Sequence, residues 1–282
     1  MSVDVGKIAE EIRVRFRAGE AKLPLLPEAV IQVRRIVQDE SQGAADIARA
    51  LGNDMTFSAT VLRIANSARF KSGSFEIRSL PMAIQRLGGR RTLQLMVAIS
   101  AKIHMQVKNK ALQKILQQTS AHSLSVAVAA QHLATLIQSA EPEEAFLAGM
   151  LHDIGVQAVV CAVPDLLIPL EHADKLKVIQ RLHREMGGRL LNHWDMPDVF
   201  ETIASHHGIE SDDRPRDKLI DFIDAADFLV QHNGVKVLFD AIGDVDIQHY
   251  PPIQRLGATE VHLAAVEIEL ETSIGDMQAT IG

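Results

Sequence analysis

Apolar residues recur along the chain at intervals of three and four, and this period predicts a succession of amphipathic helices. Ile8, Ile12 and Phe16, with charges between them, mark a lead-in helix that ends by Lys22. Pro24 forbids a continuous helix through Leu23-Pro24-Leu25-Leu26-Pro27, whereas Pro27 suits the first turn of a helix carrying Val30, Val33, Ile36 and Val37. Ser41 is expected to cap a short helix over Ala45, Ile47, Ala48 and Leu51, closed by Gly52. Asp54 is expected to cap the next, with Phe57, Val61, Leu62 and Ile64 on its apolar face. After a loop at 71–74, Ser79 caps a helix with Pro81 in its first turn, which ends at Leu87-Gly88-Gly89, and residues 90–106 form another.

The second half begins with a long helix over 111–139, with Leu124, Val128, Leu133 and Leu136 at helical spacing. After Glu141-Pro142 comes a strongly apolar helical run, under way by Ala145 and ended by Pro164. Residues 174–193 form one or two helices, in which Gly187-Gly188 either breaks the helix or allows a close backbone approach. A helix started by Asp195-Met196-Pro197 ends at Ser205-His206-His207-Gly208, with both histidines in its last turn. Residues 219–230 place Asp221, Asp224 and Asp227 on one helix face. A break at Pro251-Pro252 precedes a last helix over 259–274, whose segment 266–270 would also suit a strand. The expected fold class is therefore all-α, with a lead-in helix (1–22), an N-terminal helical unit (23–110), a second helical unit (111–235) and an extension (236–282).

The chain has 282 residues, 47% of them hydrophobic, enough for one large core or two moderate ones. Its formal charge of −7 hides a division: residues 1–110 carry 18 Lys and Arg against 10 Asp and Glu, or +8, and the remainder 11 against 26, or −15. All 12 histidines lie at or beyond His104, so any imidazole metal chemistry belongs to the second half. Asp4, Lys7, Glu10 and Glu11 stand where a signal peptide would need an apolar core, which gives the expectation of a cytosolic chain with no membrane partner. The single Cys161, among Val159, Val160 and Val163, excludes an intramolecular disulfide and a cysteine-based zinc site, and is expected in the core. Only 4% of residues are aromatic, so platforms for stacking bases are scarce, and the corner of Arg86, Arg90 and Arg91 reads as a solvated helix terminus. A nucleic-acid partner is not expected.

His152 and Asp153 interrupt the most apolar run of the chain, where a neighbouring His and Asp are costly to bury unless something binds them. They read either as a metal pair or as a hydrogen-bonded polar pair. The other helices contribute His122, His183, His206 with His207, and Asp227 or Asp224. Imidazole and carboxylate together suit one or two ions such as iron, manganese, zinc or nickel. Two ions bridged by a carboxylate such as Asp153 could activate water for attack on a phosphoester.

From Leu23 to about Asp227 the chain resembles the HDOD family, a branch of the HD superfamily found in bacterial signalling proteins. The resemblance rests on Leu23-Pro24-Leu25-Leu26-Pro27, on Leu62-Arg63-Ile64-Ala65-Asn66-Ser67-Ala68, on Ala83-Ile84-Gln85-Arg86-Leu87-Gly88 and on Ala145 through Gly155. It implies an N-terminal helical unit packed on an HD-like bundle. The second half also resembles the HD-GYP phosphodiesterases, which open cyclic dinucleotides at a metal centre. That likeness implies His122, His152, Asp153, His183, His206, His207 and Asp227 as metal ligands, Asp224 as the alternative last carboxylate, and Asp153 as the catalytic bridge. Val156 stands where those enzymes have a phosphate-binding lysine, Gly208 where they have a glutamate, and 209–215 replaces their Gly-Tyr-Pro loop. Ligands without substrate-handling residues imply a regulatory module that binds a signalling protein or nucleotide messenger. The alternative is a metal-dependent phosphohydrolase acting on a nucleotide or other phosphoester.

Overall fold

Several helices start where the sequence supplies a carboxylate or amide to take up orphan backbone N–H groups. A computed structural model describes the chain apart from residues 1–3, 22–23, 40, 53, 67–75, 104–106, 210–213, 235–237, 240–244 and 282, and the side chains of 98, 101–103 and 271–281. The helices are α1 (Val5–Arg17), α2 (Glu28–Gln38), α3 (Ala44–Leu51), α4 (Met55–Ala65), α5 (Leu80–Leu87), α6 (Gly89–Ile103), α7 (Lys110–Ile137) and α8 (Pro142–Leu151). They continue with α9 (Ile154–Ala162), α10 (Pro164–Leu167), α11 (His172–His193), α12 (Asp198–His206), α13 (Lys218–His232), α14 (Pro251–Leu256) and α15 (Glu260–Ile281). Asp54 accepts from Thr56 N and Phe57 N at the start of α4, as its position predicts, and Asn109 and Asp217 cap α7 and α13 in the same way. No strand occurs among the described residues, and segment 266–270 is helical.

Three local expectations need correction, and one alternative left open at Gly187-Gly188 is decided. Ser41 bonds Asp39 instead of capping α3, whose cap is Gly43, its N–H taken by the Asp46 carboxylate. Pro251-Pro252 forms the first turn of α14, where missing N–H groups cost nothing, and is not a break. Residues 172–193 are one continuous helix through Gly187-Gly188. The run from Ala145 to Pro164 is two helices, α8 and α9, interrupted at His152-Asp153, where Asp153 has φ −100° and ψ 15°. The expected loop at 71–74, and Leu23, Ser67, Ala68 and Gln106, lie outside the described residues.

By backbone contact the chain forms two units, one of residues 1–24 with 104–274 and one of 25–103 with 275–282. The lead-in helix and most of the extension, read from the sequence as separate pieces, thus belong to the larger unit. The smaller unit packs α3 and α4 on α5 and α2 on α3 and α6, around Val33, Leu51, Phe57, Val61, Ile84 and Met96. Two of its sequence signatures are structural. The Asn66 side chain donates to Leu62 O and Ile77 O and accepts from Ile77 N, and Arg86 donates to Ala65 O, so both close the end of α4.

In the larger unit α7 packs on α8 and α13, α11 packs on α9 and α12, and α1 lies along α11. Arg13 Nε donates to Glu185 at 2.7 Å, and the indole of Trp194 donates to Pro24 O at 2.7 Å. The run Pro142–Ala162 is long and apolar enough to cross a membrane by composition, but 89% of that stretch is buried inside the protein.

Burial pushes the Cys161 thiol up to about 11. At pH 8 it should react with iodoacetamide about a hundredfold more slowly than an exposed thiol, and at the ordinary rate in denaturant. Stopped-time alkylation followed by intact mass checks this.

Candidate metal centre

Two glycines in the signature run let four helices approach in two close pairs and build one site. A Cβ on Gly149 would lie 2.5 Å from Ala127 Cα, so α8 meets α7 backbone to backbone. A Cβ on Gly155 would lie 1.6 Å from His183 O and 2.6 Å from Gly187 N, so α9 presses directly on α11 at the turn that carries His183. The glycines at 187 and 188 therefore serve a close approach and leave α11 unbroken. Between Gly149 and Gly155 the chain leaves helical geometry, and the His152 and Asp153 side chains enter the space between α7, α11 and α13.

Asp153 stands at the centre of two groups. Its Oδ1 lies 3.3 Å from His207 Nε2 and 3.7 Å from His183 Nε2, and its Oδ2 lies 3.6 Å from His152 Nε2. His122 Nε2 lies 3.0 Å from Asp227 Oδ1. His122, His152 and Asp153 can offer ligand atoms to one ion, and Asp153, His183 and His207 to another.

The ring orientations determine what these groups can hold. His152 Nδ1 is bonded to Gly149 O, His183 Nδ1 to Gln180 O and His207 Nδ1 to Ile203 O. A carbonyl only accepts, so each of these rings carries its proton on Nδ1, and the neutral form aims an Nε2 lone pair at Asp153. With all three rings neutral, three lone pairs would surround a buried carboxylate and repel it unless a cation, a proton on His207 or a metal ion, lies among them. His122 completes the mismatch with a buried, unpartnered Nδ1. The buried His/Asp cluster therefore fits a metal ion, and it holds its imidazoles by the backbone contacts that metal-binding histidines generally have.

Burial lowers the pKa of His152, and that of His183 to about 4. Burial acts the same way on His207 and His122, but Asp153 and Asp227 outweigh it and raise both. Burial works to raise Asp153, and the surrounding imidazoles hold it well below the usual carboxylate range. Asp224 is pushed up to about 6, mainly by burial.

Asp227 is the carboxylate that faces the site. Asp224 is turned away, accepting from Gly208 N at 2.9 Å and pairing with Arg214 at 2.8 Å, while Asp221 pairs with Arg214 and Arg255. The structure does not bring His206 to the cluster. Helix α12 ends at His206, the backbone turns out at His207 (ψ 145°), and the adjacent side chains diverge. His206 is half-buried, with Nδ1 held by Thr202 O. The expectation that both histidines share the last helical turn fails for that reason.

The cluster opens into a cavity of about 370 Å³ whose wall also includes Thr119, Gln180, Arg184, Gln231, Phe239 and Tyr250. Sequence reasoning missed these residues. Thr119 lies one turn before His122, Gln180 one turn before His183 and Gln231 one turn after Asp227, so helical spacing from the ligands was the available signal. Val156 is fully buried in the core and contributes nothing to the cavity.

An all-helical fold with histidines and aspartates gathered between its helices defines an HD-type domain. The chain belongs to the HDOD family, whose domain pattern matches residues 23–209. A candidate metal-dependent phosphohydrolase from Shewanella amazonensis SB2B superposes with a TM-score of 0.76 at 17% identity, over 99% of each chain. An HDOD domain protein with unknown function from Geobacter sulfurreducens gives 0.70 at 21% identity, over 99% of this chain and 98% of that one. The superpositions establish a shared fold. In sequence, an uncharacterized protein of Treponema pallidum (strain Nichols) is 24% identical over 201 residues, 66% of this chain, which spans only 38% of that protein's length.

Replacing Gly155 by Ala must drive α9 from α11 at a backbone contact. We expect a loss of about 3 kcal/mol in urea unfolding, at the upper end for overpacking, together with a weakened metal site as His183 is displaced. Unchanged stability would show that the helices part without cost.

Proposed function

We propose that the chain is a bacterial regulatory module of the cytosol, whose larger unit holds one or two divalent ions and recognises a nucleotide messenger or signalling partner. The observation that supports this reading is a set of candidate ligands around an open cavity, beside a fully buried Val156 where the HD-GYP phosphodiesterases, which the second half resembles, would place a lysine. His122, His152, Asp153, His183, His207 and Asp227 would hold the metal, with iron, manganese, zinc or nickel compatible with their donors. A bound ion would supply positive charge for an anionic group entering the cavity. The backbone bonds of the imidazoles keep their Nε2 atoms facing inward, and the buried surroundings strengthen the attraction.

A second reading, a metal-dependent phosphohydrolase, is favoured by one feature: Asp153 belongs to both candidate ligand groups. That is the place of a carboxylate shared between two ions, an arrangement that supports hydrolysis of phosphoesters. Hydrolysis of bis(p-nitrophenyl) phosphate above background, abolished in Asp153→Ala, would establish this reading in place of the first.

Elemental analysis of protein purified without chelator or nickel affinity should find about one or two ions per chain, as two-metal sites of this kind hold. The metal should be lost in His152→Ala and Asp153→Ala and kept in His206→Ala. A native protein that takes up no manganese, iron or zinc under loading would refute the metal centre.

The raised pKa values of His122 and His207 also set a direction with pH. Their protonated forms persist above the ordinary imidazole value of about 6.5 and compete with metal, so loading should release protons and weaken as the pH falls through neutrality. Titration calorimetry in buffers of different ionisation enthalpy measures the protons released. A count of zero would contradict the assignment of these two residues.

A further inference from the structure

Arg184 follows His183 on α11 and lines the metal cavity, half-buried, yet no carboxylate stands within ion-pair distance of it among the described residues, Asp153, Asp224 and Asp227 acting on its charge only from farther off. Only its Nε is committed, donating to His207 O at 2.8 Å. Its Nη2 lies 3.3 Å from where a Cβ on Gly208 would be, so the absence of a side chain at 208 leaves the guanidinium free to reach the cavity. Elsewhere in this unit, partly buried arginines are neutralised: Arg13 by Glu185, Arg214 by Asp221 and Asp224. A partly desolvated guanidinium with uncommitted Nη donors beside a cation site is suited to an anion that can bond both, and its planar fork matches phosphoryl oxygens. Another part of the lining has a different character. Phe239 lies against the His183 ring (centroids 4.9 Å), and Tyr250 stacks on Phe228 at 4.3 Å, giving an aromatic end to a cavity of small-molecule size.

We infer that Arg184 is the anion-reading residue of this cavity, binding the phosphoryl group of a small organic phosphate whose flat, less polar remainder lies toward Phe239 and Tyr250. This rests on the reading that a ligand enters the metal cavity. Arg184 thereby takes up, from α11, the phosphate contact that Val156 does not make from α9.

The test uses AMP, inorganic phosphate and adenosine as probes, titrated calorimetrically into the full chain, both manganese-loaded and chelator-treated, with metal content measured on the same samples. AMP should bind more tightly than adenosine, and Arg184→Gln should weaken AMP about tenfold or more, the usual cost of losing a hydrogen bond to a charged group, while leaving adenosine unaffected. Arg184→Lys, which keeps the charge but loses the fork, should fall between, and it carries the test if the glutamine variant fails to fold. Equal AMP affinity in native and variant protein, AMP binding no tighter than adenosine, or no AMP binding to the native protein would each overturn the inference. Arg184-dependent AMP binding by a chain that holds no metal would sustain it while refuting the metal centre. Metal uptake with binding indifferent to Arg184 would do the reverse.

Discussion

The contact on which the site depends is between two backbones: α9 presses on α11 at Gly155, close enough that a single methyl group would overlap the carbonyl of His183. Van der Waals repulsion rises steeply at such distances, so glycine is the residue that lets the two helices meet there. Gly149 does the same for α8 against α7. With both ends of the turn pinned, Asp153 has little freedom. It is held among its neighbour His152 and two residues from other parts of the chain, His183 and His207, while His122 and Asp227 close the far side.

The electrostatics follow from this packing. A carboxylate and several imidazoles are buried together, and the Nδ1 hydrogen bonds decide that three of the rings meet Asp153 with lone pairs. The cost of burying such a set is met by protons at His207 and His122 or by a metal ion in their place. The same low-polarity surroundings that depress His183 also sharpen any attraction felt by an incoming anion.

Much of this was legible in the sequence. The 3.6-residue period located the helices, and the sequence reading named His122, His152, Asp153, His183 and His207, which the fold brings to one cavity, together with Asp227 or its neighbour three residues back. What escaped were single-residue rotations. His206 and His207 are chemically alike, and only the exit of the chain from α12 decides which one turns inward. Asp224 and Asp227 share a helix face, and only Arg214, arriving from a loop, claims the former. The interruption at His152-Asp153 was hidden because apolar spacing continues unchanged across it, while the cause lies in what α9 must pack against. Local propensity carries no information about such tertiary demands. Arg184 was overlooked for a similar reason, since a charge on an amphipathic helix reads as solvated until the neighbouring helices are in place.

The Nδ1 bonds have one more consequence. Each of those three rings is anchored to a carbonyl three or four residues earlier on its own helix, so its aim is set by the helix and owes nothing to whatever the ring binds. Arrival or departure of an ion should then alter the charge of the cavity far more than its contour. The cavity would keep one contour under two electrical conditions, with its imidazoles already aimed before anything enters.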